Sequence, residues 1–306
     1  MESEGFERGP GRPQGLRSQH PAAVEVEGII IDYIPQGLYN DPHKEHKDRP
    51  IAQAIGVRRF TLIDGIPLGD VEVLQRVTLA RSVLRTIIQP IDWKGQKVKK
   101  SVVVLACLPG PEKIVYCYPL TPLDKWGLES LKTAIQEEGG WALLVDSPLE
   151  LSRIAEDKGL PPSILVVPPS PLKYGELTDI AKSNLTEAVK AIIKTDERIY
   201  VEFFNIADAI NVRLHTLELF KGVGKKVLSA FLERRRQKPF ESFEEVKKVL
   251  KIDPLTALAE KISEEIRGEA RYYLFIEPSS PDSPYLDYLS KVKRAYFRKS
   301  SELRSS

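Results

Sequence analysis

The chain has 306 residues, 42% of them hydrophobic and 29% charged, with a formal net charge of +2. That length supports two or three domains with a sizeable core, and the apolar runs are too short to span a membrane. The N-terminus is acidic and Gly/Pro-rich rather than basic then apolar, so it is no signal peptide, and a soluble cytoplasmic protein is expected. Cys107 and Cys117 are too far apart for a CxxC site. Without an oxidising compartment they read as buried thiols rather than a disulfide. A single Met with 23 Pro leans toward a thermophilic protein.

Residues 1–20 are polar and aperiodic and read as a disordered tail carrying Arg8, Arg12 and Arg17. From Val24 the texture is β. VEVEGIIIDYI alternates before turning apolar, IAQAIGVRRFTLIDGI follows with Gly56 marking a bulge, and VEVLQRVTLARSVLRTIIQPI adds one or two strands. Several short strands over residues 21–100 suggest a small barrel of the OB type, with Arg58 and Arg59 facing a nucleic acid. Asp41, His43 and His46 lie close together but lack a third metal ligand at proper spacing, so they read as a solvated loop.

Residues 101–170 alternate strands with helices, as in SVVVLACL, KIVYCYPL, TPLDKWGLESLKTAIQEE, WALLVD, SPLELSRIAEDK and SILVVPP. They predict a small α/β unit. Thr121-Pro122 and Ser147-Pro148, with Asp124 and Glu150 behind them, mark the helix starts. Residues 101–168 carry five basic and nine acidic groups. Such a unit repels phosphates, so it is assigned to structure or to a protein partner. Asp146, at a strand's C-terminal end, has no second carboxylate at a telling spacing and reads as part of a helix cap.

The helical half spans 171–270, with LTDIAKSNLTEAVKAIIKTDE and RIYVEFFNIADAINVRLHTLEL read as helices. Leu214 to Phe220 then meets the turn Lys221-Gly222-Val223-Gly224-Lys225, and a second amphipathic run follows. This is the layout of a helix-hairpin-helix, which holds a sugar-phosphate backbone without reading bases. Gly222 permits a positive φ, and Gly224 lets a phosphate approach the main chain. The free N–H groups of the second helix and its dipole face the phosphate, beside Lys225 and Lys226. Arg234, Arg235 and Arg236 end that helix. Residues 213–238 net +6 on a nearly neutral chain, an electrostatic footprint for nucleic acid; the plainer reading is a solvated basic helix after a glycine turn. The Gly-Lys here is no phosphate loop, because Leu219 and Lys226 stand where a glycine and a hydroxyl are required.

Ser242 to Glu245 form a capping box, and Lys251-Ile252-Asp253-Pro254 reads as the turn of a second, degenerate hairpin that packs on the first. RYYLFIEP, within 271–280, predicts a strand returning to the N-terminal sheet. In the basic tail, 281–306, Lys293 and Arg294 flank Tyr296 and Phe297, a pattern suited to single-stranded RNA.

DYIPQG, PIAQAIGVRRFTLIDGIP and the block RIYVEFFNIADAINVRLHTLELFKGVGKKVLSAFLERRRQKPFESFEEV through RYYLFIEP resemble the archaeal domain-of-unknown-function family 655. The resemblance covers somewhat over half the chain. It implies an OB-like β domain followed by an α-helical domain of helix-hairpin-helix type, and it favours RNA over DNA. A short basic connection typical of that family is replaced here by the acidic α/β unit. The fold expected is therefore α+β and multidomain: an OB-like β-barrel with a small α/β insert, then an all-α helix-hairpin-helix domain. The function expected is non-catalytic RNA binding in ribosome or rRNA metabolism, with no cofactor and no catalytic residue assigned. The alternatives are a structure-specific DNA-processing enzyme, which needs a carboxylate cluster for two metals, and a scaffold that docks a protein on its acidic insert.

Overall fold

The computed structural model describes residues 25–37, 49–88, 100–109, 114–119, 125–137, 142–145, 147–159, 161–166 and 171–305. The N-terminal tail, the Asp41–His46 loop and Asp146 lie outside the described residues. The protein is mixed α+β. Strands β1 (Glu27–Ile34), β2 (Ile51–Gly56), β3 (Leu62–Pro67), β4 (Arg76–Ile88), β5 (Lys100–Pro109), β6 (Val115–Pro119), β7 (Ala142–Leu144) and β8 (Ser163–Val166) form one sheet, with helices α1 (Lys125–Glu137) and α2 (Pro148–Asp157) in its second half.

Five of these strands close a ring, β1-β2-β3-β8-β4, because β4 also pairs back onto β1. β4 is long enough to serve two structures. Its first residues pair with β1 and β8, and Arg81 to Ile88 then carry the sheet outward to β5. The α/β unit is thus continuous with the barrel rather than separate. Its last strand, β8, lies antiparallel to β3 and parallel to β4 and completes the ring. Periodicity alone could not show this, since pairing partners are set by tertiary contact.

The run Ile29-Ile30-Ile31 is apolar throughout because both faces of β1 are covered. Ile30 turns inward with Ala52, Ala54, Ile63, Val77, Leu79 and Ile164. Ile29 and Ile31 turn outward and join a second core shared with the helices. Gly56 marks a close approach rather than a bulge. A Cβ there would meet the Glu25 carboxylate at 2.3 Å, and the register shift falls instead between Ile30 and Asp32.

Cys107 and Cys117 form a disulfide, which corrects the expectation of free thiols. They lie directly opposite one another across β5 and β6, both buried, with Cα atoms 4.2 Å apart. The hairpin brings the two sulfurs together.

The helical half contains α3 (Asp179–Thr195), α4 (Glu197–Ile206), α5 (Lys225–Gln237), α6 (Phe243–Leu250), α7 (Pro254–Arg267) and α8 (Tyr288–Ser305). Its core is aromatic. Phe203 meets Phe204, Phe220, Phe275 and Tyr288, and Phe231 stacks on Phe240 with centroids 4.7 Å apart. α3 lies on the barrel through a polar seam. Thr178 donates its hydroxyl to Asp32 and its N–H to Gln53 (3.0 Å), Gln53 donates to the Glu176 carbonyl (3.2 Å), and Asn184 donates to the Ile31 carbonyl (3.0 Å).

Three sequence expectations are corrected. The stretch after α4 is not helical: strands β9 (Ala209–Asn211) and β10 (Leu214–His215) form a small hairpin before a 3-10 turn over Thr216–Leu219. RYYLFIEP forms no strand and bridges only through Tyr273 to Tyr285. The basic tail is the helix α8, whose Leu289 and Val292 enter the shared core.

RYYLFIEP is held instead by the buried Glu265 carboxylate, which accepts the N–H groups of Leu274 (2.8 Å), Phe275 (2.8 Å) and Ile276 (2.9 Å). Burial pushes this carboxyl up to about 7, against the pull of those donors and of Lys261. Replacing Glu265 with Ala strands up to three amides, each at about 1–3 kcal/mol. Equilibrium denaturation of Glu265→Ala is expected to show a loss of about 3 kcal/mol or more; a loss below about 1 kcal/mol would remove this carboxylate from the account.

Candidate nucleic-acid interface

The segment from Thr216 to Gln237 is built in three steps. The 3-10 turn is closed by a reciprocal pair in which Leu217 N–H donates to His215 Nδ1 (3.1 Å) and His215 N–H donates to Glu218 (2.8 Å). The chain then turns at Lys221-Gly222, where Gly222 takes φ +90°, and α5 begins after Gly224. Val223 points inward and anchors the turn, while Lys221, Gly222, Gly224, Lys225 and Lys226 are exposed.

The start of α5 lacks both a side-chain cap and a first-turn carboxylate, whereas α4, also without a cap bond, carries Glu197 in its first turn. Ser147, Thr178, Ser242 and Asp253 each accept a main-chain N–H at the start of α2, α3, α6 and α7. α5 begins at Gly224, which offers no side-chain oxygen, and has no acidic residue in its first turn. Its leading N–H groups therefore face solvent beside two lysines, at the positive end of the dipole. The second turn backs the first: a Cβ on Gly222 would sit 3.1 Å from Ile252 Cγ2, and Lys251 takes the left-handed conformation.

The other predicted residues separate into two groups. Arg234 donates to the Lys238 carbonyl (2.7 Å) and lies over the Phe240 ring. Arg235 is turned inward, donating to the Ala207 (2.6 Å) and Phe204 (3.1 Å) carbonyls at the end of α4, and burial lowers its pKa. It holds the fold together rather than standing on the surface. Arg58 and Arg59 are exposed on the turn between β2 and β3, whose N–H groups donate to the Glu25 carboxylate (2.8 and 2.7 Å). Lys293 reaches this turn from α8, donating to the Arg58 carbonyl (2.8 Å), and burial lowers its pKa. Arg294 is exposed beside it.

Sequence reading missed the β9–β10 hairpin, whose tip exposes Val212 fully beside the exposed Arg213. The signal was Asn211, whose side chain accepts the Arg213 N–H (2.9 Å) as turn-forming asparagines do. It also missed His215, although His-x-x-Glu occupies the places of Ser-x-x-Glu in a capping box. Among the described residues, no group of three His, Cys, Asp or Glu side chains is placed to hold a metal ion.

His215 accepts at Nδ1, so its proton sits on Nε2, which is buried without a partner. Burial, then the Arg235 charge, lower its pKa below the ordinary 6.5, against Asp208 and Glu218. The folded state thus disfavours the imidazolium, and this contribution is fully present above the unfolded pKa and lost as pH falls from there through the lower folded pKa. Denaturation at about pH 8 and about pH 5 is expected to show a smaller pH-linked loss in His215→Asn, which keeps an acceptor but cannot titrate. An unchanged pH response in that variant would contradict the assignment.

Comparison with known proteins yields relatives but no activity. One is an uncharacterized protein, MJ0038, of Methanocaldococcus jannaschii, 37% identical over 108 residues. The match covers 35% of this chain and spans half of that relative's length. Another is the crystal structure of Af1531 from Archaeoglobus fulgidus, a DUF655 protein, at 26% identity and a TM-score of 0.48. It covers 83% of this chain and 100% of that one. The model of the family described as Protein of unknown function (DUF655) matches residues 24–277, a stretch that takes in both the barrel and the lysine-flanked turn. With most of its length matched, the chain belongs to the DUF655 family.

Proposed function

We propose that this protein binds nucleic acid, RNA in preference to DNA, by its sugar-phosphate backbone, with Thr216–Gln237 acting as a helix-hairpin-helix. The observation that carries the reading is the exposed start of α5, where Gly222 and Gly224 clear the main chain and Lys221, Lys225 and Lys226 surround it. A phosphate oxygen there would accept N–H bonds in the dipole's positive field and displace counterions from the lysines. Such contacts fix position and carry no base sequence. The five-strand ring supports an OB-like description in its strand count, although β8 runs parallel to β4 and α3 covers the outer face of β1 and β2. Binding through an open β face is therefore not part of the proposal. A role in ribosome or rRNA metabolism fits a binder of this kind.

A protein partner on the acidic α/β unit is kept as a second reading, favoured by Leu143 and Leu149, which are exposed on β7 and α2. Deleting residues 101–168 cannot test it, because β8 would be lost with them. Leu149→Asp leaves the barrel intact and should abolish capture of such a partner. No helix among the described residues is long and apolar enough to cross a membrane.

The test is fluorescence anisotropy with labelled duplex and single-stranded RNA and DNA across a salt series. Lys225→Glu/Lys226→Glu places acidic groups in a helix's first turn, where they favour the helix, so the fold should persist. Wild type is expected to bind with a steep negative salt slope, and the variant with a slope about two units shallower. Equal affinity and slope in the two proteins would overturn the reading.

A further inference from the structure

We propose that the outward face of α8 is a stacking platform for an unpaired stretch of nucleic acid, with Phe297 as the ring on which a base lies. The proposal rests on the nucleic-acid reading above and adds a second contact and a substrate class to it. Phe297 is 62% exposed, and Tyr296 meets it edge-on at 5.6 Å. Lys291, Arg294, Phe297 and Arg298 recur at helical spacing on one exposed side, while Leu289 and Val292 are buried on the other.

The cations on this helix divide by task. Lys293 is spent on the Arg58 carbonyl, and Lys299 on the buried Glu202 at 2.7 Å. These two bonds fix the helix to the barrel turn and to α4. Lys291 and Arg294 form no ion pair among the described residues; Arg294 Nε donates only to Ser290 on its own helix, and Lys291 lies over the Tyr288 ring. The Lys293 bond also sets the turn bearing the exposed Arg58 and Arg59 against α8.

One exposed aromatic ring among cations fits a single strand, which offers a flat base with a phosphate on either side. A membrane-surface helix needs a broad apolar face, and among the described residues of α8 Phe297 is the one large apolar side chain that is exposed. A protein interface is depleted of charge at its centre, whereas this ring has Arg294 and Arg298 beside it. Duplexes hide their base faces, so the platform discriminates for unpaired segments while the α5 turn does not.

The experiment measures binding of the full chain to labelled oligo(U), oligo(dT) and a duplex of equal length, for wild type, Phe297→Ala, Phe297→Trp and Lys225→Glu/Lys226→Glu. Phe297→Ala is expected to weaken single-strand binding about 5- to 150-fold, the loss of one stacked base, with duplex binding within about twofold. Phe297→Trp should restore it, and Lys225→Glu/Lys226→Glu should weaken both substrates. Comparing oligo(U) with oligo(dT) separates RNA from DNA. If duplex binding depends on Lys225 and Lys226 while Phe297→Ala leaves single-strand binding unchanged, the platform falls and the hairpin reading stands. If wild type binds none of the three, both fall. A wild-type dimer that becomes a monomer on Phe297→Ala, with RNA binding unaltered, would assign this face to a second copy of the chain.

Discussion

The helical half is positioned on the barrel by the docking of α3 across β1 and β2. The contact is apolar in bulk, Ile29, Ile31 and Ile55 against Leu185, Ala188 and Ile192, and such packing alone tolerates sliding. The polar seam removes that freedom. Asp32 and Gln53 are almost wholly buried, and a buried polar group without a partner costs more than a partnered one contributes. Thr178 answers both at once while capping its own helix, so one arrangement satisfies all three residues.

Two consequences reach the proposed binding surface. With α3 fixed, the β2–β3 turn sits where Lys293 can reach it, which is why residues more than two hundred positions apart in the chain form one basic edge. The outer face of β1 and β2 is also closed, so the barrel serves as a platform for the helices. The α5 turn is supported from below by Val223 in the core and from the side by Ile252. A turn held in this way keeps its N–H groups in place before any ligand arrives, which lowers the ordering cost of binding.

Much of this was legible in the sequence because it is local. The positive φ at Gly222, the caps at Ser147 and Ser242, and the lysine flank of α5 follow from residue types at short spacing. What stayed hidden depends on partners distant in sequence. Arg235 looked like its neighbours Arg234 and Arg236, yet it caps α4. RYYLFIEP had the composition of a strand, but Glu265 satisfies its amides and no neighbouring strand is needed. Ser163–Val166 read as the end of an inserted unit and is the strand that closes the ring. The disulfide was missed because compartment outweighed register, although Cys107 and Cys117 pair directly across a hairpin.

The central claim is that main-chain N–H groups at the start of α5 hold a phosphate. Hydrogen exchange followed by mass spectrometry, with and without saturating RNA, addresses those groups themselves. The account expects slowed exchange concentrated in peptides spanning Gly222 to Leu228, with little change across β5, β6 and β7. RNA binding that leaves the exchange of Gly222 to Leu228 unaltered would contradict it.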